Sequence, residues 1–366
     1  MKRVPYVDLA AQFAEERDGL MARLADTMAQ GHWVGGSDVE AFEDAMAAYA
    51  GSTHAVAVGS GTDALILGLA AVGVGPGDEV ILPPNSFISS AAAVIYVGAR
   101  PVFADVLDDQ TIDPKAVEAA VTPRTRAIMP VHLTGRMADM AALMQVARRL
   151  GLAVVEDAAQ AVGARFNGKH AGTYGEVGCF SAHPLKNLNA MGDAGFVLTD
   201  DAALAERVAR LRNNGLEDRD TVVEWGRVSR MDSVQAAVLA FRLGRLDSVI
   251  ERRRRNAKLY GALLDDGHVF GAPNGNAWFD TFHTFVVQVD RRDDLRAYLT
   301  GRGIGTAVHY PVPIHLQPVA ANLGYVRGDF PTAERQAERI LSLPVHQFLR
   351  RDDVHYVAET LNGFFA

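Results

Sequence analysis

The amino-acid sequence predicts an α/β protein in which a larger part, built on a mainly parallel mixed sheet, is followed by a smaller C-terminal α+β part. Three observations predict it. From residue 54 to about 213, short apolar runs alternate with helical stretches, the pattern of a parallel sheet with right-handed crossovers. One of these runs, LAVVEDAAQAVGA at 152–164, ends in Glu156 and Asp157 and passes into small residues, as a buried strand feeding a loop does. A helical region from about 232 to 265 then leads to a tail with the strand-like FHTFVVQVD and the helical TAERQAERIL. Residues 1–250 are taken as the large domain and 251–366 as the small one. No flexible linker separates them, so close packing is expected.

The elements follow in order. Phe13, Leu20, Leu24 and Met28 recur at helical spacing and predict a helix ending near Gly31; Ser37 and Glu40 form a capping box ahead of Phe42, Met46 and Tyr49. HAVAVGSGTDALILGLAAVG, residues 54–73, reads strand, glycine turn, helix, with Gly59, Ser60, Gly61 and Thr62 where backbone amides open a helix and attract an anion. GSGTDA also fits a relaxed dinucleotide fingerprint. A dinucleotide site needs an acid at the end of the next strand, however, whereas Asp78 and Glu79 precede the run Val80, Ile81, Leu82 that closes on Pro83 and Pro84. The turn is therefore read as holding a single phosphate, with Thr62 and the Gly61 backbone as contacts.

Two residues further along carry chemistry. GCFSAHPLKNLNAMGDAG, residues 178–195, sets Lys186 among small and apolar neighbours. A lysine amine attacks a carbonyl only when unprotonated, and burial lowers its pKa toward that state, so Lys186 is a candidate for a Schiff base. Asp157 lies at the carboxyl end of its strand, where ligands of open α/β sheets bind. Alone it reads more readily as a helix cap. Together, a Schiff-base lysine and an aspartate that keeps a pyridine nitrogen protonated are what pyridoxal 5′-phosphate (PLP) requires of its enzymes.

The order GSGTDAL, GPGDEVILPPNSF, AIMPVHLTGRMADM, VVEDAAQAVGA, FSAHPLKNLNAMGDAG, LRNNG, SRMDSVQAAVL and GIGTAVHYPVPIHLQP resembles the DegT/DnrJ/EryC1/StrS sugar aminotransferases over nearly the whole chain. The resemblance implies the PLP-dependent, aspartate aminotransferase-like architecture known as fold type I. It implies that Lys186 carries the cofactor and that Asp157 meets the pyridine nitrogen. It also places Gln160 near the phenolic oxygen, Phe87 on the ring, Ser181 at the phosphate, and His309 and Tyr310 near the sugar. His183 is a further candidate for the substrate side. The residues alone also allow Phe87 as core, Gln160 as a polar helix face and Ser181 as a cap. One departure stands out: the family often has an asparagine reaching the neighbouring subunit's phosphate where this chain has Val228, and Asn214 replaces a frequent histidine. Relatives with histidine at the lysine position dehydrate their substrates, so Lys186 favours amino transfer.

Composition agrees with this reading. The 366 residues are 49% hydrophobic and 22% charged, enough for two cores, and the net charge of −8 offers no general attraction to nucleic acid or an anionic membrane. Lone Cys179 excludes an internal disulfide framework and is expected as a small core residue. The amino-terminal stretch becomes charged too early for a signal peptide, no run is apolar enough for a membrane span, and a cytoplasmic location is expected. Four successive arginines in ERRRR, 251–255, fan over roughly 300° of a helix and are expected on a solvated, salt-bridged surface. His309 and His315 have no HExxH or cysteine pair to complete a metal site, and no metal is expected. The expected reactants are L-glutamate and a nucleotide-linked keto-sugar, on a homodimer. A cyclic ketone without a nucleotide, and a noncatalytic sugar-binding or regulatory role, remain open as alternatives.

Overall fold

The computed structural model describes residues 2–265 and 276–366. Helices α1 (Leu9–Gln30) and α2 (Ser37–Ala50) precede β1 (His54–Val58), α3 (Gly61–Ala71), β2 (Glu79–Leu82), α4 (Ile88–Tyr96), β3 (Arg100–Phe103) and α5 (Pro114–Ala120). Next come β4 (Thr125–Ile128), α6 (Met140–Leu150), β5 (Ala153–Asp157), the short β6 (Arg165–Phe166) and β7 (Lys169–His170), β8 (Val177–Ser181), β9 (Gly195–Thr199) and α7 (Ala202–Leu211). The chain continues through α8 (Ser233–Leu243), α9 (Leu246–Leu263), β10 (Trp278–Phe279), β11 (Phe285–Gln288), α10 (Arg292–Thr300), α11 (Pro331–Arg339), β12 (Ile340–Leu343) and α12 (Arg351–Phe365).

Seven strands form the main sheet in the order β1-β9-β8-β5-β4-β2-β3. The β3-β2-β4-β5-β8 run is parallel, and β9 is antiparallel to both β8 and β1. Both faces are covered, as the continuous apolar strands require. Ala57, Val154, Phe180, Phe196 and Leu198 point into a core closed by α2, α6 and α8, while Val58, Val155, Cys179 and Val197 point into a second core with α3 and α4. Cys179 lies in the second, its thiol near the Ala64 carbonyl and its pKa pushed up by burial, so the core role expected for it is met. A third core gathers Tyr260, Phe285, Val287, Leu295, Leu341 and Val357 around the antiparallel pair β11-β12, and Val4 from the other end of the chain joins it.

Register brings functional positions together. Asp157 pairs with Cys179, Ser181 with Gly195, and Gly195 with Val58, so the ends of β5, β8 and β1 and the start of β9 share one margin of the sheet. Helix α3 begins on that margin, and only glycine fits there: a Cβ on Gly61 would stand 2.5 Å from Ser181 Cβ, and one on Gly195 2.4 Å from the Ser60 carbonyl oxygen.

Three local expectations are corrected. No capping box forms at α2, because Gly36 occupies the cap position at φ 78° and the Ser37 hydroxyl donates to Gln30 Oε1 instead. Helix α1 ends at Gly31 as expected, but Phe13 and Met28 are exposed; its buried residues are Glu16, Leu20 and Thr27, and Glu16 is clamped by Arg242 of α8. The arginine run on α9 is not uniformly solvated, since Arg253 is only 5% exposed. No helix among the described residues is long and apolar enough to cross a membrane.

Candidate active site

A cavity of about 350 Å³ opens at the margin where β1, β5 and β8 end. Gly61, Thr62, Phe87, Asp157, Gln160, Ser181, His183, Lys186, His309 and Tyr310 all line it. Every residue expected at the cofactor or the substrate thus lines one cavity, although they span some two hundred and fifty residues of chain.

Lys186 sits on the turn after β8, where its amide donates to the His183 carbonyl at 2.8 Å. The turn is pinned by buried Asn187, whose Nδ2 donates to Thr281 O at 3.1 Å, and buried Asn189, whose Nδ2 donates to Pro184 O at 2.7 Å. Burial lowers the Lys186 ammonium to about 8 against an opposing pull from Asp157. Asp157 is 5% exposed. It accepts from Ser90 Oγ at 2.6 Å and from the Ala159 amide at 3.2 Å, yet burial dominates and raises its carboxyl above the ordinary value. A buried carboxylate in that condition is relieved by a cationic N–H.

Beside it, Glu156 is wholly buried and points to the opposite face of the sheet. It accepts from the amides of Gly172, Tyr174 and Gly175 at 2.7–2.8 Å and from His132 Nε2 at 2.8 Å. Burial would raise this carboxyl, but those donors prevail and the net shift is downward. His132 Nδ1 in turn accepts the Ala138 amide, and the His132 amide donates to the Asp157 carbonyl at 2.9 Å. The strand end carrying Asp157 is therefore held from both sides.

The rest of the wall follows. Gln160 Oε1 accepts from the Thr134 amide at 2.8 Å while its Nε2 donates to the Tyr310 hydroxyl at 3.3 Å. The Tyr310 ring lies 5.5 Å from that of Phe87, which remains 53% exposed within the concavity. Burial raises the Tyr310 phenol, with Asp157 adding to it, and lowers His309 to about 4 with Lys186 assisting, so at neutral pH neither is charged. His309 Nδ1 meets Ser342 Oγ at 2.9 Å and its ring stacks on Tyr6 at 5.9 Å. At the opposite end, Ser60 caps α3 through the Asp63 amide, and Thr62 Oγ1 donates to Ser89 Oγ at 2.9 Å. Helix geometry leaves the Gly61 and Thr62 amides without intrahelical acceptors.

This donor set fits PLP. An aldehyde needs a discharged amine, a pyridine nitrogen needs a buried carboxylate without a cationic partner, the ring needs an uncovered aromatic face, and the phosphate needs a helix start. Several cavity residues were not anticipated from the sequence: Tyr6, Ser90, Arg253, His283, Thr284 and His346. Only Arg253 had a readable signal, because arginines that fan around a helix must send one of their number inward.

The family model described as the DegT/DnrJ/EryC1/StrS aminotransferase family matches residues 15–362. The chain belongs to that family. Within the DegT/DnrJ/EryC1/StrS aminotransferases it is 46% identical over 351 residues to the dTDP-3-amino-3,4,6-trideoxy-alpha-D-glucose transaminase of Streptomyces venezuelae, covering 95% of this chain and 93% of that protein. It is 42% identical to the UDP-N-acetyl-3-dehydro-alpha-D-glucosamine 3-aminotransferase of Acidithiobacillus ferrooxidans, covering 98% of each. The crystal structure of S. venezuelae DesV in complex with a ketimine intermediate superposes with a TM-score of 0.96 at 43% identity, over 100% of this chain and 99% of that one. The chain is a PLP-dependent aminotransferase of fold type I, as the sequence led us to expect. Of the departures from the family pattern, Asn214 adopts φ 60°, a left-handed conformation that asparagine tolerates well, and Val228 is exposed outside the cavity.

Proposed function

We propose that this aminotransferase moves an amino group from L-glutamate to the carbonyl carbon of a nucleotide-linked keto-deoxysugar, with Lys186 carrying the proton in both directions. One observation carries the reading: Lys186, whose ammonium burial lowers to about 8, and Asp157, a buried carboxylate with no ion-pair partner within 4.0 Å among the described residues, face the same cavity. Lys186 Nζ would hold the cofactor's aldehyde carbon, Asp157 the ring nitrogen, Phe87 the ring face and Gln160 the phenolic edge. Gly61, Thr62 and Ser181 would hold the phosphate. When bound, PLP supplies an electron-withdrawing ring and an aldehyde that stores the amino group between the two half-reactions.

The chain's own residues do the rest. Lys186 Nζ, unprotonated in a useful fraction at neutral pH, takes the proton from the α-carbon of the amino donor and later returns a proton to the sugar carbon. Asp157, oriented by Ser90, keeps a compensating negative charge under the ring nitrogen. His309 and Tyr310, both neutral, offer hydrogen bonds to sugar hydroxyls without adding charge beside Lys186, and His183 stands at the exposed rim on the same side. Both curated relatives act at C3 of the sugar according to their names, so a 3-keto-sugar is the first substrate to try. Residues 1–250 and 251–366 would be the large and small domains, in a cytoplasmic homodimer.

The test is spectroscopic. L-glutamate added to the PLP-loaded protein should abolish the visible aldehyde-form band, and dTDP-, UDP- or GDP-linked 3-keto-sugars should restore it, whereas an unlinked cyclic ketone should not. A visible band that L-glutamate leaves unchanged would refute the donor assignment; restoration by the unlinked ketone would refute the nucleotide.

A further inference from the structure

The first residues of the chain form part of the active-site wall. Val4 runs parallel to Ile304, its amide donating to the Gly303 carbonyl at 2.9 Å and its carbonyl accepting from the Gly305 amide at 2.9 Å. His346 Nε2 donates to the Pro5 carbonyl at 3.2 Å, and Lys2 pairs with Asp353 at 3.0 Å. The approach is close, since a Cβ on Gly305 would stand 2.7 Å from the Tyr6 amide nitrogen. Fastened in this way, the segment carries Tyr6 and Val7 to the cavity.

Tyr6 meets His309 in two ways. Its ring stacks on the imidazole, with centroids 5.9 Å apart and planes inclined by 30°. Its hydroxyl is hydrogen-bonded to the side chain of Ser342, whose Oγ lies 2.9 Å from His309 Nδ1. Tyr6, Ser342 and His309 thus form a chain of hydrogen bonds, and its direction follows from what stands at each end. Burial raises the phenol to about 12, so it keeps its hydrogen at neutral pH; burial lowers His309 to about 4, so the ring holds a single N–H. Arg253, in the same wall, acts on the phenol, and a guanidinium has no acceptor to offer. The phenol oxygen therefore turns its lone pairs toward that cation and its hydrogen toward Ser342 Oγ. Having accepted there, Ser342 directs its own hydrogen to His309 Nδ1. A neutral imidazole that accepts at one nitrogen carries its proton on the other.

We propose that Tyr6, acting through Ser342, is a positioning residue that fixes His309 as the tautomer protonated on Nε2, so that the imidazole presents an N–H donor to an oxygen of the sugar. The sugar end of this assignment rests on the aminotransferase reading above, whereas the tautomer follows from the protein alone. A residue that served only to stack would need no hydroxyl, because phenylalanine offers the same ring without a polar group to desolvate.

The experiment reads the tautomer directly, by nitrogen NMR of the PLP-loaded protein carrying isotopically labelled histidine, the His309 signals being those lost in His309→Gln. Wild type should show a proton on Nε2 and a bare Nδ1. Tyr6→Phe keeps the stacked ring and removes the hydroxyl, while Ser342→Ala removes the link; each should bring a mixture of the two tautomers. Kinetics supply the second readout. With the keto-sugar that restores the aldehyde-form band, Tyr6→Phe should raise KM roughly three- to tenfold, the range for one neutral hydrogen bond, and change kcat by less than about twofold. A proton on Nδ1 in the wild type would overturn the proposal. So would a tautomer unmoved in both variants, or an unmoved KM in a Tyr6→Phe protein whose tautomer has shifted. If no keto-sugar restores the band, the substrate reading fails instead, and the histidine signals still decide the tautomer.

Discussion

Lys186 couples protonation to stability as well as to chemistry. Its ammonium is lowered to about 8 in the folded chain against an ordinary 10.5, first by burial. Between those values the unfolded chain keeps a proton that the folded chain has released, so stability of the cofactor-free protein rises with pH across the window. Below about 8 both states hold the proton and the whole penalty stands, about 3 kcal/mol. Lys186→Met should therefore raise the melting temperature of the cofactor-free protein at pH 7, with the gain vanishing above pH 10.5; a gain independent of pH would contradict this origin. The same substitution should cost the loaded enzyme roughly 10³-fold or more in turnover. Ser90→Ala should raise Asp157 further by removing its 2.6 Å donor, at about 1.5–3 kcal/mol of stability, checked by denaturant titration. Lys186 and Asp157 were legible because their neighbours in sequence are small, apolar and strand-like. Ser90 was not: it is brought to Asp157 by the way α4 packs, and nothing in the local string FISS distinguishes it from any helical serine.

At the scale of elements, strand β5 is fastened by Glu156 and helix α3 by the absence of side chains. Glu156→Gln would present an amide NH₂ where the carboxylate now collects three backbone donors and an imidazole, leaving at least one donor unmet. A loss of about 2–4 kcal/mol is expected from a chemical denaturation curve. Because the Glu156 carboxyl is held below its ordinary value, its contribution is present at neutral pH and fades as pH falls through that lowered value. The variant should accordingly lose less stability than the wild type on acidification below pH 4.5. Gly61→Ala would drive a methyl into Ser181 and either shift α3 or tilt β8, for about 1–3 kcal/mol and a measurably weaker hold on PLP by equilibrium dialysis. The sequence showed the strand-turn-helix unit and the anion site at its apex. It misplaced the α2 cap, since a glycine at positive φ took the position that a serine-based pattern claimed.

For the whole molecule, the alternation of strands and helices between 54 and 213 was enough to predict the parallel sheet, because the neighbours β2 and β3, β4 and β5, and β5 and β8 are each joined by a crossover local in sequence. What was hidden depends on long-range closure, such as Val4 entering the core around β11 and β12, or Arg253 turning inward. The exposed apolar residues of the described surface also belong to this scale. Trp225 is 98% exposed, with Val222, Val223 and Val228 at least half exposed near it in sequence, and Phe13, Met21 and Met28 lie uncovered on α1. The proposed homodimer would cover such exposed apolar surface. Trp225→Glu combined with Val223→Glu should shift the protein toward monomer in sedimentation velocity and weaken PLP retention; an unchanged dimer would exclude that face.

The antiparallel strand of the main sheet has a consequence for synthesis. Strand β1 stands at the edge of the sheet and pairs only with β9, Val58 meeting Gly195. At translation rates of ~5–20 residues per second, a finished first strand waits on the order of ten seconds for the neighbour that completes it. During that interval the nascent chain carries an unpaired apolar edge that α2 can shield on only one side. Its yield in the cell should therefore depend on chaperone capacity more than the equilibrium stability of the finished protein would suggest.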